Sequence, residues 1–124
     1  MSENELNIVI LTLVSGEEVI ANLKDYVEEK DGVERQVCYN IIYPFKISRQ
    51  GAVKDQHVGV MFTPWKFFSK DNSFLIGYDK IINVCAPLPN IIEEYKKVVD
   101  TFIRTLAEQQ QQQWYHSYSQ VQVY

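Results

Sequence analysis

The first hydrophobic stretch of the chain lies between Ile8 and Leu23 and consists of two apolar runs. The runs cover Ile8–Val14 and Val19–Leu23, and a Ser-Gly-Glu-Glu segment separates them. β-Branched residues are frequent in the first run, which favours a buried strand. Gly16 supplies the backbone freedom that a tight turn requires. The pattern therefore predicts a β-hairpin at the start of a small all-β core.

The hydropathy of the first two strands indicates how each is covered. Strand one, Leu6–Val14, is apolar on both faces, so we place it inside the sheet. Strand two begins near Glu17 and alternates between apolar and polar residues, which is typical of a half-buried strand. Asp31-Gly32 then predicts a two-residue hairpin turn, so strands two and three should form one long ribbon. Its tip is acidic and carries Glu28, Glu29, Asp31 and Glu34.

The next three strands are longer and interrupted. The odd positions of strand three form one apolar row, and Pro44 predicts a bend or an edge. A polar loop is expected over Ser48–His57. Pro64 interrupts strand four, and Gly77 predicts a bulge in strand five. The predicted bounds are Val33–Ile47 for strand three, Val58–Phe68 for strand four and Ser73–Cys85 for strand five.

From position 89 onward the apolar residues recur at helical spacing. Asn90 and Glu93 have the spacing of a capping box. The wide apolar stripe must lie against the β-domain or against a neighbouring subunit. We therefore predict a β-barrel domain over residues 1–88, a helix over 89–113 and a polar, aromatic tail of low complexity over 114–124. The fold class is mainly β: a small, five-stranded, strongly bent barrel with a C-terminal helix and a Gln/aromatic-rich tail.

Composition limits the function classes. The chain has 124 residues and a net charge of −4, which argues against generic electrostatic binding of nucleic acid but leaves room for a local basic patch. Cys38 and Cys85 are predicted to be buried free thiols, with a disulfide or a metal site as the alternatives. The polar N-terminus has no signal-peptide pattern, and no apolar run reaches the length of about 18 residues that spans a membrane. We expect a soluble protein of the cytoplasm.

No catalytic constellation is visible in the sequence. His57 stands alone in a polar segment and His116 lies near the end of the chain, so no acid–base pair or activated nucleophile is predicted. No Gly-rich phosphate loop and no metal-ligand spacing occurs. We therefore predict a protein that is not an enzyme and that needs no cofactor and no metal.

One motif carries a family resemblance. The spacing of an apolar pair, a turn glycine, an apolar residue, a small residue and a leucine resembles the first sequence motif of the Sm/LSm (Sm-like) family. The resemblance implies a small SH3-like or Sm-like barrel, and other SH3-like barrels share part of this pattern. The Pro64-Trp65 segment is in addition similar to Sm-like proteins of bacteriophage, of cyanophage type. The residues that match the first motif are Leu11, Leu13, Gly16, Val19, Ala21 and Leu23.

The sequence also departs from that family. Members that bind RNA carry an Asp-x-x-Met-Asn element after strand two, whereas this chain continues from Asp25 as Asp-Tyr-Val-Glu-Glu. Counting from the Asp-Gly turn places Asn40 near Leu23, inside the ribbon. The basic residue that precedes the glycine of the second motif is missing before Gly77. The family's uridine pocket therefore cannot be transferred, and the helix here follows the barrel rather than preceding it.

The resemblance implies a homo-oligomeric ring in which strand four of one subunit pairs with strand five of the next. A monomeric barrel is the alternative. We expect the ring to bind RNA or single-stranded DNA, or else to be a structural or protein-interaction ring without nucleic-acid binding. The alternative is that the aromatic residues form interface core and the lysines a solvated rim, and an acidic tip in the pore would repel phosphate. The candidate nucleic-acid-binding residues are Lys46, Arg49, Lys54, His57, Trp65, Lys66, Phe68 and Lys70.

Overall fold

A computed structural model describes residues 6–54 and 57–116, and the side chains of residues 6–49 and 59–108. The described chain contains six strands, one short 3-10 helix at Tyr78–Lys80 and one α-helix. The strands are β1 (Ile8–Leu13), β2 (Glu18–Lys30), β3 (Val33–Lys54), β4 (His57–Pro64), β5 (Ser73–Ile76) and β6 (Ile81–Cys85), and the helix is α1 (Pro89–His116).

The strands form one antiparallel sheet in the order β4-β3-β2-β1-β6, and β5 pairs with a second part of β3. The predicted fold class, a mainly β domain followed by a C-terminal helix, is confirmed. The prediction that strand one lies inside the sheet is also confirmed, because β1 pairs with β2 on one side and with β6 on the other. In the described part of the chain, β6 pairs with β1 but with neither β4 nor β5. The sheet is therefore open between β6 and the β4 and β5 strands.

Six strands occur instead of five because a 3-10 helix divides the predicted strand five. The Lys80 N–H donates to the Gly77 carbonyl at 3.0 Å, which closes this turn at the glycine where a bulge was predicted.

The predicted polar loop at Ser48–His57 is wrong, since β3 continues to Lys54 and β4 starts at His57. Beyond Lys46, the described part of β3 pairs with β4 and with no other strand. At the base of this β3–β4 arm, Ile47 and Phe62 pack against the buried residues Ile20, Phe45 and Tyr95.

Alternating residues of β1 and β2 build two hydrophobic clusters on opposite faces of the sheet. We call the one inside the bent sheet the inner cluster and the one beneath α1 the outer cluster. Strand two was predicted to be half-buried, but both of its faces are buried over residues 19–23, because α1 covers the second face. The inner cluster consists of Val9, Leu11, Leu13, Val19, Ala21, Leu23, Ile41 and Ile76. The outer cluster consists of Ile20, Phe45 and Tyr95, with half-buried neighbours from α1, β1, β3 and β4.

A bulge in β3 divides the apolar row that the sequence predicts as continuous. Tyr43 has a φ of 50°, and the β2–β3 register shifts between Ile20 and Asn22, opposite this point. Tyr39 therefore contacts the inner cluster, whereas Ile47 contacts the outer one. The bend predicted at Pro44 is realised as this bulge.

Helix α1 begins at Pro89, which is one residue before the predicted cap. The N–H groups of Ile91 and Ile92 donate to the Leu88 carbonyl, and proline suits the first helical position because its N–H is not needed there. Asn90 therefore lies within the first turn. The helix packs on the sheet of its own chain and continues through His116, so the predicted boundary at 113 falls inside it, and residues 117–124 lie outside the described residues. Within the described ranges, no helix has the length and apolar character that a membrane crossing requires.

Candidate functional site

The sheet ends in two uncovered edges, one formed by β4 and β5 and the other by β6. Both edges carry exposed apolar side chains. Leu75 on β5 is 56% exposed and Ile82 on β6 is 66% exposed, and Met61 on β4 and Val84 on β6 are also exposed. An edge strand presents unpaired N–H and C=O groups that can pair with another chain. These two edges are therefore the parts of the described fold best suited to strand pairing between copies.

The segment from Trp65 to Asn72 connects β4 to β5, and we call it the aromatic turn. The Trp65 N–H donates to the Pro44 carbonyl at 3.0 Å, and its ring contacts the inner cluster and lies edge-on to Phe74 at 5.7 Å. The Lys66 ammonium group lies 4.4 Å from the centre of the Trp65 ring. The half-buried Trp65 ring and the exposed Lys66 ammonium group thus form a cation–π pair.

The exposed part of the aromatic turn consists of two phenylalanines and two lysines. Phe67 and Phe68 are 67% and 72% exposed, and their rings lie edge-on at 5.1 Å. Lys66 and Lys70 are exposed on the same turn. Aromatic faces beside ammonium groups are what single-stranded nucleic acid requires for base stacking and phosphate contact.

The other predicted basic residues lie on the β3–β4 arm. Lys46 is exposed and pairs with Thr63, two residues before the aromatic turn, and its ammonium group is 3.7 Å from the Glu17 carboxylate. Arg49 is exposed and pairs with Val60. The backbones of Lys54 and His57 pair with each other, and the side chains of both lie outside the described residues. Of the predicted set, the structure brings Trp65, Lys66 and Phe68 together on one short turn.

A second site was missed in the sequence. An open cleft of about 540 Å³ lies where the β2–β3 ribbon leaves the sheet. Tyr39 lines this cleft, and its ring is edge-on to the neighbouring Tyr78 at 4.8 Å. Desolvation, followed by the negative charge of Asp25 and then Tyr39, raises the pKa of the Tyr78 hydroxyl above its ordinary value. The cleft is lined by Asn7, Leu23, Lys24, Asp25 and Tyr39.

The pairing of Asp25 with Tyr39 explains why the cleft is not visible in the sequence. Counting back from the Asp-Gly turn places Asp25 opposite Cys38, but a register shift between Tyr26 and Val27 places it opposite Tyr39. The same shift places Asn40 opposite Lys24 rather than Leu23. A slip of one residue moves a side chain to the other face of a ribbon. Register counting alone therefore predicts the wrong neighbours.

The thiols and potential metal ligands add no further site. Both cysteines are free, but the prediction that they are buried is wrong, since Cys38 is half-buried and Cys85 on β6 is exposed. Within the described part of the chain, no three His, Cys, Asp or Glu side chains converge as metal ligands.

Comparison with known proteins gives a family but no activity. No curated protein matches this chain. Residues 6–100, which cover the whole sheet and the beginning of α1, match a family that is described as a Family of unknown function (DUF6561). Because this match spans most of the chain, the protein belongs to the DUF6561 family.

Proposed function

We propose that this protein is an Sm-like module that closes into a homo-oligomeric ring, with the β4/β5 edge of one copy paired to β6 of the next. The observation that carries the proposal is that one open sheet has two different uncovered edges, each with exposed apolar side chains. A head-to-tail contact between two different surfaces closes into a ring when its rotation allows. Ring closure would leave neither edge unpaired.

We further propose that the ring binds single-stranded RNA or DNA through the aromatic turn. Lys66 and Lys70 can contact phosphates, and Phe67 can stack on a base. Lys46 and Arg49 on the neighbouring arm extend the positive charge. One such patch is weak in a protein with a net charge of −4, but repetition around a ring multiplies weak contacts through effective concentration. The free thiols fit a reducing compartment such as the cytoplasm.

The ring is tested by measuring mass in solution. Sedimentation velocity across micromolar concentrations should give one closed oligomer for the wild type. Leu75→Lys and Ile82→Lys each place a charge on one edge and should shift the protein to monomers. Ile103→Lys is the matched control, because Ile103 is an exposed apolar residue of α1 and belongs to neither edge strand. A wild type that sediments as a monomer throughout this range contradicts the ring.

Nucleic-acid binding is tested by fluorescence anisotropy with labelled oligo-U and oligo-A. Affinity should fall steeply with salt, because counterions are released from the neutralised phosphates. The double variant Lys66→Gln/Lys70→Gln should lower the slope of log K against log salt by about 0.7 per lost phosphate contact. Lys96→Gln/Lys97→Gln on α1 is the control and should keep the wild-type slope.

A second function has its own observation. Among the residues whose side chains are described, the α1 neighbours of the outer cluster end at Phe102, and the α1 backbone continues to His116. A helix that is longer than the cluster it packs on can also hold another protein. Rings that form normally but bind neither oligonucleotide at low salt favour a protein-interaction ring over a nucleic-acid-binding one.

A further inference from the structure

The cleft beside the β2–β3 ribbon brings one carboxylate and two aromatic rings together. Asp25 is directly opposite Tyr39 in the antiparallel ribbon, so the two side chains share a face. Tyr39 packs against the inner cluster, which holds its ring in place, and Tyr78 lies edge-on to it at 4.8 Å. The side chains of Asp25, Tyr39 and Tyr78 therefore lie close together at the edge of the bent sheet.

The chemistry of these groups favours a cation. A carboxylate accepts two parallel hydrogen bonds from a guanidinium group, and aromatic faces attract the same planar cation. Desolvation, and after it the charges of Asp25 and Tyr39, raise the pKa of Tyr78, so a negative charge is disfavoured at this place. Lys24 also lines the cleft and carries the opposite charge, but it pairs with Asn40, whereas Asp25 pairs with the ring-bearing Tyr39, so the aromatic contacts favour the Asp25 side of the cleft.

We propose that this cleft binds the guanidinium group of an arginine side chain that a partner protein presents. Asp25 would pair with the guanidinium, Tyr39 and Tyr78 would contact its plane, and Asn7 lines the cleft beside them. This site is separate from the aromatic turn and does not depend on ring formation or on nucleic-acid binding.

The competing ligand is an anion such as a nucleotide, which would use Lys24 in place of Asp25. The two kinds of ligand predict opposite changes in binding affinity for the variants Asp25→Asn and Lys24→Gln. For a cationic ligand, Asp25→Asn weakens binding and Lys24→Gln strengthens it. For an anionic ligand, Lys24→Gln weakens binding and Asp25→Asn strengthens it.

The experiment is an NMR titration of the full chain with the capped peptide acetyl-Gly-Arg-Gly-amide. The control peptide contains citrulline in place of arginine and has nearly the same shape without the charge. The arginine peptide should give saturable shifts of the backbone amide signals of Asp25, Tyr39 and Tyr78, and the citrulline peptide should bind more weakly. Asp25→Asn should lower the affinity by up to about fivefold, whereas Asp71→Asn, an exposed acid on the aromatic turn, should leave it unchanged.

Two results overturn the proposal. One is equal binding of the arginine and citrulline peptides, which would show that charge is not recognised. The other is a set of cleft shifts with uridine monophosphate that Lys24→Gln weakens, which would identify an anion site. Wild-type amide spectra for residues outside the cleft establish that each variant is folded, so a loss of binding is not a loss of structure.

Discussion

The inner and outer clusters share the same two strands but differ in where their other residues come from. β1 and β2, the predicted hairpin, supply most of the inner cluster. The outer cluster takes Ile20 from β2, Phe45 from the far side of the β3 bulge and Tyr95 from α1. The inner cluster is therefore mainly local in sequence, whereas the outer one exists only when three distant segments meet.

That difference implies different roles in stability. The inner cluster holds the bent sheet together, so its loss should unfold the whole domain. The outer cluster packs α1 against the sheet. Its Tyr95 hydroxyl shares its hydrogen between the Tyr43 carbonyl at 2.7 Å and the Ile42 carbonyl at 3.3 Å. We expect changes in the outer cluster to release the helix first.

The largest effect is expected in the inner cluster. Leu11→Ala removes a fully buried side chain and should lower the free energy of unfolding by about 2–5 kcal/mol, because the cavity can only partly collapse. Urea denaturation monitored by circular dichroism measures this change. A loss below about 1 kcal/mol would mean that Leu11 does not belong to a tightly packed core.

A smaller and more local effect is expected in the outer cluster. Tyr95→Phe leaves the Tyr43 carbonyl without its donor at the bulge and should cost about 1–3 kcal/mol. Hydrogen exchange should accelerate in α1 while the amides shared by β1 and β2 stay protected. Tyr26→Phe, on the ribbon, is the control. Equal acceleration in both regions would contradict the separation of the two clusters.

The same tyrosine gives a pH dependence. Burial is the main cause that raises the pKa of Tyr95 well above its ordinary value of 10.0. The folded state then holds the proton more strongly than the unfolded chain, so this stabilisation is complete below pH 10.0 and is lost as the pH rises above it. Urea midpoints measured from pH 8 to 11 should therefore fall at the alkaline end, and Tyr95→Phe should reduce that fall.

The smallest effect is expected at the margin of the outer cluster. Ile103 follows Phe102 on α1 but is exposed and lies outside the cluster. Ile103→Ala should change the free energy of unfolding by less than about 0.5 kcal/mol. A larger loss in the same urea assay, at a concentration where the protein is oligomeric, would place Ile103 in a contact between copies.

Some features of the fold followed directly from residue types. Asp31 and Gly32 adopt the positive φ angles of 55° and 77° that the hairpin turn requires, as predicted. Of the predicted nucleic-acid-binding residues on the aromatic turn, Lys66, Phe68 and Lys70 are exposed and Trp65 is half-buried, and their binding role stays a prediction. The cleft was missed because no residue type in the sequence marks the register shift between Tyr26 and Val27 that places Asp25 opposite Tyr39.

The sequence by itself determined the hairpin from Ile8 to Leu23, the acidic ribbon and a C-terminal amphipathic helix, because local propensity and periodicity encode them. Only the tertiary structure decided which face of the sheet the helix covers, since its apolar stripe suits any apolar partner. It also decided that β3 changes faces at Tyr43 and that Asp25 meets Tyr39. Each bulge shifts the register by a single residue, and in a strand one residue separates the two faces.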